Sequence, residues 1–148
     1  MHFRFSTIFI FVIFIFCPQF SQAQNILNLA GLTSTPYASA AYSLRKLSTS
    51  YSGPLVRVQV GSSFYDVYPD ASTNMFATTS KISAAIGTYD AGISASTGNE
   101  LSTIISGTNA FVAIWYDQRG GTSFNLIQNV AGSRPKIISS GKIGRAHV

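Results

Sequence analysis

The sequence predicts a mainly β domain, an incomplete sandwich with one or two short helices, and three observations carry that prediction. Residues 55–60, Leu-Val-Arg-Val-Gln-Val, alternate, and after Gly61-Ser62-Ser63 a second alternating run follows from Phe64 to Tyr68. Two period-two runs joined by a short turn form the pattern of a hairpin. Phe111 to Tyr116 is apolar on both faces, as in a central strand covered on both sides. Two further runs, Asn125 to Asn129 and Pro135 to Ile138, follow turn-forming residues. Short strands with few helices favour a sandwich over an α/β fold. A complete sandwich needs more strands than these, so the fold is expected to be unfinished.

The ends of the 148-residue chain set the domain limits. Met1 to Arg4 is basic, Phe5 to Phe16 is almost unbroken apolar sequence, and Ser21-Gln22-Ala23 has the small residues of a cleavage site. Residues 1–23 therefore read as a signal peptide, and the mature protein as secreted or periplasmic. The apolar run is shorter than the roughly 20 residues of a membrane-spanning helix, and no later run is as long, so no membrane span is expected in the mature chain. Ile143 to Val148 matches a translated sequencing adapter, which leaves residues 24–142 as the expected part of the domain.

Within 24–142, eight basic residues face five acidic ones, a net of +3 against +5 for the whole chain. Arg45, Lys46, Arg57, Lys81, Arg119, Arg134, Lys136 and Lys142 are scattered, without the clustering that nucleic-acid binding uses. The segment has no cysteine and no histidine. A Ser-His-Asp triad, a cysteine nucleophile, a disulfide and a zinc site of His or Cys are thereby excluded from it.

Along the chain, Thr35-Pro36 has the form of an N-cap followed by proline in the first helical position. Tyr37, Ala40, Ala41, Leu44 and Leu47 continue at helical spacing, which predicts a short amphipathic helix ended by Gly53-Pro54. On the first strand, Val56, Val58 and Val60 share one face and Leu55, Arg57 and Gln59 the other, so Arg57 reads as a solvated or edge charge. Residues 69–98 are rich in Ser, Thr, Ala and Gly, and pattern specifies little there. Thr97-Gly98-Asn99-Glu100 has capping-box spacing ahead of Leu101, Ile104 and Ile105, predicting a second helix that ends near Gly107. Asp117 to Gly121 is a turn. Its Asp117 reads as an Asx-turn acceptor, with a ligand or calcium contact as the alternative.

Two blocks resemble a known family. Ala41 to Val58, with Arg45, Leu47, Tyr51, Ser52 and Gly53, and Trp115-Tyr116-Asp117-Gln118-Arg119-Gly120 followed by residues 125–128 and 134–137, resemble the N-terminal half of the catalytic domain of glycoside hydrolase family 54, the α-L-arabinofuranosidases. The resemblance implies a concanavalin-like or jelly-roll sandwich and a glycan partner, arabinose-containing polysaccharide. It implies substrate contacts at Tyr116, Asp117 and Gln118. It also implies that the nucleophile and acid/base lie C-terminal to the Tyr-Asp-Gln turn, so no catalytic residue is assigned here and the chain reads as an inactive fragment. Arg119 stands where the family usually has Ser, the 120–124 loop departs from its usual Gly-Asn-Gly, and the cysteines of the fungal enzymes are absent, which points to a bacterial relative.

Retaining glycoside hydrolysis needs two carboxyl groups about 5 Å apart. Nothing in the sequence brings any two of Asp66, Asp70, Asp90, Glu100 and Asp117 together. Trp115 and Tyr116 are candidates for sugar stacking, but alternation puts them on opposite faces and Trp115 reads as core. Arg45 is a candidate partner for Asp117 or Asp66. No cofactor and no metal site is expected, with calcium left open. The alternative function is a non-catalytic glycan-binding or spacer sandwich module of a surface adhesin, since one fold hosts both.

Overall fold

The computed structural model describes residues 28, 30, 40–119 and 124–144, so the signal-peptide expectation, the start of the expected first helix at residues 36–39 and the 120–123 loop lie outside the described residues. The described chain is mainly β, with one curled antiparallel sheet of strands β1 (Val56–Val60), β2 (Ser63–Val67), β3 (Lys81–Ser83), β4 (Ser96–Glu100), β5 (Ala110–Trp115), β6 (Leu126–Ile127), β7 (Lys136–Ser139) and β8 (Lys142–Ile143). Their order is β4-β3-β2-β1-β5-β7-β8, and β6 also pairs with β5. β5 is central, as its apolar sequence predicts. β1 lies along one edge, β7 opposite Ala110 and Phe111 on the other, and β6 opposite Ile114 and Trp115 further along that same edge. β8 carries the ladder past residue 142, since Ile143 pairs with Ile138 and the Gly144 amide donates to the Ile137 carbonyl.

The hairpin β1–β2 forms as the alternation requires. Gly61 adopts φ +60°, a conformation glycine reaches without a Cβ clash, and the tight turn sets Val60 opposite Ser63. Register then places Val58 opposite Tyr65 and Arg57 opposite Asp66. One face of the sheet carries Val56, Val58, Val67, Ile82, Val112 and Ile138, packed with Leu55, Leu101, Ile105 and Phe76. Each such side chain, fully buried, contributes about 1.5–3 kcal/mol. The other face carries Phe64, Ala113, Ile114 and Tyr116, covered by Ile86 and Tyr89. A bulge between Arg57 and Val58 shifts the β1–β5 register by one residue and lets Ala113 pack with that second cluster. Arg134 closes the second face from the side, its guanidinium 5.0 Å from the Phe64 ring centre and 5.1 Å from that of Tyr89.

Four expectations are corrected. Residues 40–47 are extended, not helical: Arg45 bridges Met75, the Lys46 amide donates to Asn74, and the Leu44 carbonyl accepts from Phe76. Backbone groups that a helix would use internally are taken by a neighbouring segment, and tertiary pairing overrides the local apolar spacing. The second short helix forms where expected, α1 (Ser102–Ile105), but the predicted capping box ahead of it is instead strand β4. Thr97 donates from Oγ1 to the Ile82 carbonyl across the sheet, and the amides of Leu101 and Ser102 are satisfied by the carbonyls of Ser80 and Thr78. Arg57 is fully buried, not solvated, because residues 84–94 cover its face and Asp66 neutralises it. Arg45 pairs with neither Asp117 nor Asp66, which bind Arg119 and Arg57; its Nη2 sits 3.3 Å from Met75 Sδ.

After β2 the chain turns on Asp70. Its Oδ1 accepts from the amides and hydroxyls of Ser72 and Thr73, and its Oδ2 accepts from the Thr79 hydroxyl at 2.6 Å. Hydrogen bonds from Ser72, then Thr79 and Thr73, hold the Asp70 carboxyl well below the usual carboxylate range. A folded-state value below the unfolded one gives a stabilisation that is complete above about pH 4 and is lost as pH falls through the folded value. Urea unfolding between pH 5 and pH 2 should therefore show a smaller acid-induced loss of stability for Asp70→Asn than for the parent chain. Equal losses in the two would remove Asp70 from the account of acid sensitivity.

Candidate functional site

A cleft of about 260 Å³ opens on the covered face beside the C-terminal end of β5. Tyr51, Ser52 and Gly53 line it from the segment before β1, Tyr116 to Arg119 from the chain after β5, and Ile93 and Asn125 from two loops. The blocks 41–58 and 115–120, distant in sequence, meet here through β1–β5 pairing and through Gln118.

Each residue expected to contact substrate is located in or under this cleft, and each is already engaged. Gln118 is buried; its Oε1 accepts from the Leu47 amide at 2.8 Å and its Nε2 donates to the carbonyls of Ser43 and Arg45 at 2.9 and 2.8 Å. It acts as a surrogate strand partner for residues 43–47. Asp117 is buried as well: Oδ1 accepts from the Ala41 amide at 2.9 Å and from the Arg119 amide at 3.1 Å, and Oδ2 faces the Arg119 guanidinium at 3.2 Å. The contact to the amide two residues ahead is the Asx turn read from the sequence. Asn125 Oδ1 accepts from the Asp117 amide, which ties the β6 approach to this turn.

Tyr116 points down through the face. Its hydroxyl donates to Asp66 Oδ1 at 2.6 Å, and burial, followed by that hydrogen bond, keeps its phenol protonated far above the ordinary tyrosine value. Asp66 also accepts two bonds from Arg57, at 2.8 Å each, and one from the Ser94 amide at 2.9 Å. The rest of the Arg57 guanidinium donates to the carbonyls of Tyr89, Ala91 and Gly92. Desolvation pulls the Arg57 pKa down, and the hydrogen bonds and charge of Asp66 outweigh it, so the net direction is up and the cation is secure. This cluster fixes residues 89–94, and thereby Ile93, as the far wall of the cleft.

Tyr51 forms the near wall. Its hydroxyl donates to the Pro54 carbonyl at 2.6 Å, which folds the ring over Gly53; a Cβ at Gly53 would lie 2.6 Å from the phenol oxygen. Desolvation, with the nearby Tyr68 and Asp117 next, pushes the Tyr51 phenol upward, so it too stays protonated. Trp115 faces the other way and packs against the first core cluster.

Chemically, the arrangement is a polar cleft with a rigid floor and no free carboxylate pair. Among the described residues Asp117 is the one acidic group lining it, and its oxygens are committed. No three His, Cys, Asp or Glu side chains gather among the described residues. Sequence reasoning missed Arg57 and Asp66, although hairpin register with a two-residue turn places them opposite one another.

The fold and site define a mainly β domain with a polar cleft of about 260 Å³ on one sheet face. No family model, curated protein or solved structure matches the chain, so the resemblance of the two blocks rests on their own residues.

Replacing Gln118 by Ala should leave one amide and two carbonyls, all partly buried, without partners. The expected loss is about 1–3 kcal/mol in urea unfolding, together with faster hydrogen exchange at the Leu47 amide. Unchanged exchange at Leu47 would contradict the clamp.

Proposed function

We propose that this domain is the N-terminal, glycan-facing part of a secreted α-L-arabinofuranosidase-like glycoside hydrolase, and that the chain holds arabinose-containing polysaccharide in its cleft without cleaving it. The observation that carries the reading is convergence. The residues quoted for the family resemblance, Tyr51, Ser52, Gly53, Tyr116, Asp117 and Gln118, come from two distant blocks and line one cleft. A merely accidental likeness gives no reason for them to meet. Gln118 and Asp117 support the site from below, and the exposed Ser52 offers its hydroxyl to a ligand.

Saturation of the carboxylates favours the second reading, a non-catalytic glycan-binding module of a surface protein. Asp66 accepts four hydrogen bonds and Asp117 is held by Ala41 and Arg119, which leaves neither as a nucleophile or an acid/base. Among the described residues no helix is long and apolar enough to cross a membrane.

The first reading gives the chain affinity for arabinan, and both readings exclude turnover. Incubation with a nitrophenyl α-L-arabinofuranoside should release no nitrophenol, while electrophoresis through arabinan- or arabinoxylan-containing gels should retard the protein. Turnover would overturn the inactive assignment, and unretarded migration on both polymers would overturn the glycan assignment.

A further inference from the structure

The cleft has a second lobe. A hollow of about 310 Å³ adjoins the first and shares Ile93, Tyr116 and Asn125 with it; Asp90, Ile114 and Ile127 complete its polar rim and floor. The floor follows from register. Ile127 on β6 lies opposite Ile114 on β5, so both side chains project to the same face, and Tyr116, two residues beyond Ile114, continues the row. Ile127 is 56% exposed and Ile93 48%, an apolar shelf left open to solvent.

Polar groups stand at its margins in a complementary arrangement. Asn125 spends its Oδ1 on the Asp117 amide, and its Nδ2 has no partner among the described residues, so a donor sits on the wall common to both lobes. Asp90 is exposed, and its carboxylate, likewise without a partner among the described residues, is an acceptor on the rim of the second lobe alone. An apolar shelf edged by one donor and one acceptor suits a sugar ring, which has C–H faces and hydroxyl edges. Each lobe is near the lower limit of about 300 Å³ for small-molecule sites, a size for one ring apiece. The negative charge of Asp90 disfavours an acidic sugar there.

We propose that the second lobe is a further sugar subsite, so that the cleft takes two adjoining neutral residues of one glycan chain, with Asn125 Nδ2 donating at their junction and Asp90 accepting from the second ring. This rests on the glycan reading above. Of the residues that build the second lobe, Tyr116, Asn125 and Ile127 belong to the motifs behind that reading, whereas Asp90, Ile93 and Ile114 do not.

Titration of the full chain by NMR with arabinose, with arabinobiose and with a disaccharide whose second unit is a uronic acid tests it. Arabinobiose should bind about tenfold tighter than arabinose, and the uronate disaccharide should gain nothing over arabinose. Asp90→Ala, on an exposed loop, should cut arabinobiose affinity about tenfold with unchanged melting temperature. Asn125→Asp, which keeps the acceptor for the Asp117 amide and replaces the donor by a charged carboxylate oxygen, should weaken both neutral sugars. Equal affinity for arabinose and arabinobiose, unaffected by Asp90→Ala, would overturn the second subsite while leaving the glycan reading intact. No binding of any sugar would overturn both.

Discussion

The paired charges of Arg57 and Asp66, facing each other across the first hairpin with no exposure to solvent, are the constraint on which the covered sheet face depends. Removing two ions from water costs several kcal/mol each, and attraction between them offsets that cost only when their remaining hydrogen-bonding capacity is filled. Here it is filled. The guanidinium makes two bonds to Asp66 and three to the carbonyls of Tyr89, Ala91 and Gly92, while the carboxylate takes the Tyr116 hydroxyl and the Ser94 amide in addition. The pair is thus less a bond between two strands than a junction. It ties an irregular segment with little apolar content to the sheet, using charge-assisted hydrogen bonds where hydrophobic burial is scarce. Tyr68 adds a bond to the Ser94 carbonyl from the same side.

The cleft inherits its shape from that junction and from a second one. Residues 89–94 form one wall, and without the Arg57 contacts their carbonyls would need other partners. On the opposite side, Gln118 and Asp117 seize the backbone of 41–47, so the chain entering the domain is held against the chain leaving β5. The Tyr42 hydroxyl reaches the Phe124 carbonyl and binds that entering segment to the approach to β6. The floor is rigid because its polar side chains are occupied by backbone, which suits a site that recognises shape and hydroxyl pattern. It also explains why no floor carboxylate is free for chemistry.

The parts of this structure that follow from local pattern were legible in the sequence. Alternation and a glycine turn specify β1 and β2, and an apolar run on both faces specifies β5, because in each the side-chain period matches the final environment. The parts that depend on remote partners were not. Leu44 and Leu47 sit at helical spacing, yet their segment is extended because Gln118, some seventy positions away, supplies its hydrogen bonds. Thr97 has the look of a cap and serves as a strand residue, since Ile82 offers its carbonyl. Of the candidate site, Tyr116, Asp117 and Gln118 were visible as a turn after a buried strand; that all three are occupied by the protein itself was not. Arg57 shows where a signal existed but was overridden. The hairpin register sets it opposite Asp66, while an all-valine opposite face pointed to solvent, and only the covering segment decides between these.

The most direct test of the junction is equilibrium urea unfolding of Arg57→Met, Asp66→Leu and the double variant. An isolated buried ion pair can be replaced by apolar side chains at little cost. A junction cannot, because the double variant still strands three carbonyls, the Ser94 amide and the Tyr116 hydroxyl. The expected result is a double variant at least about 3 kcal/mol less stable than the parent, no better than either single one. A double variant within about 1 kcal/mol of the parent would contradict the account.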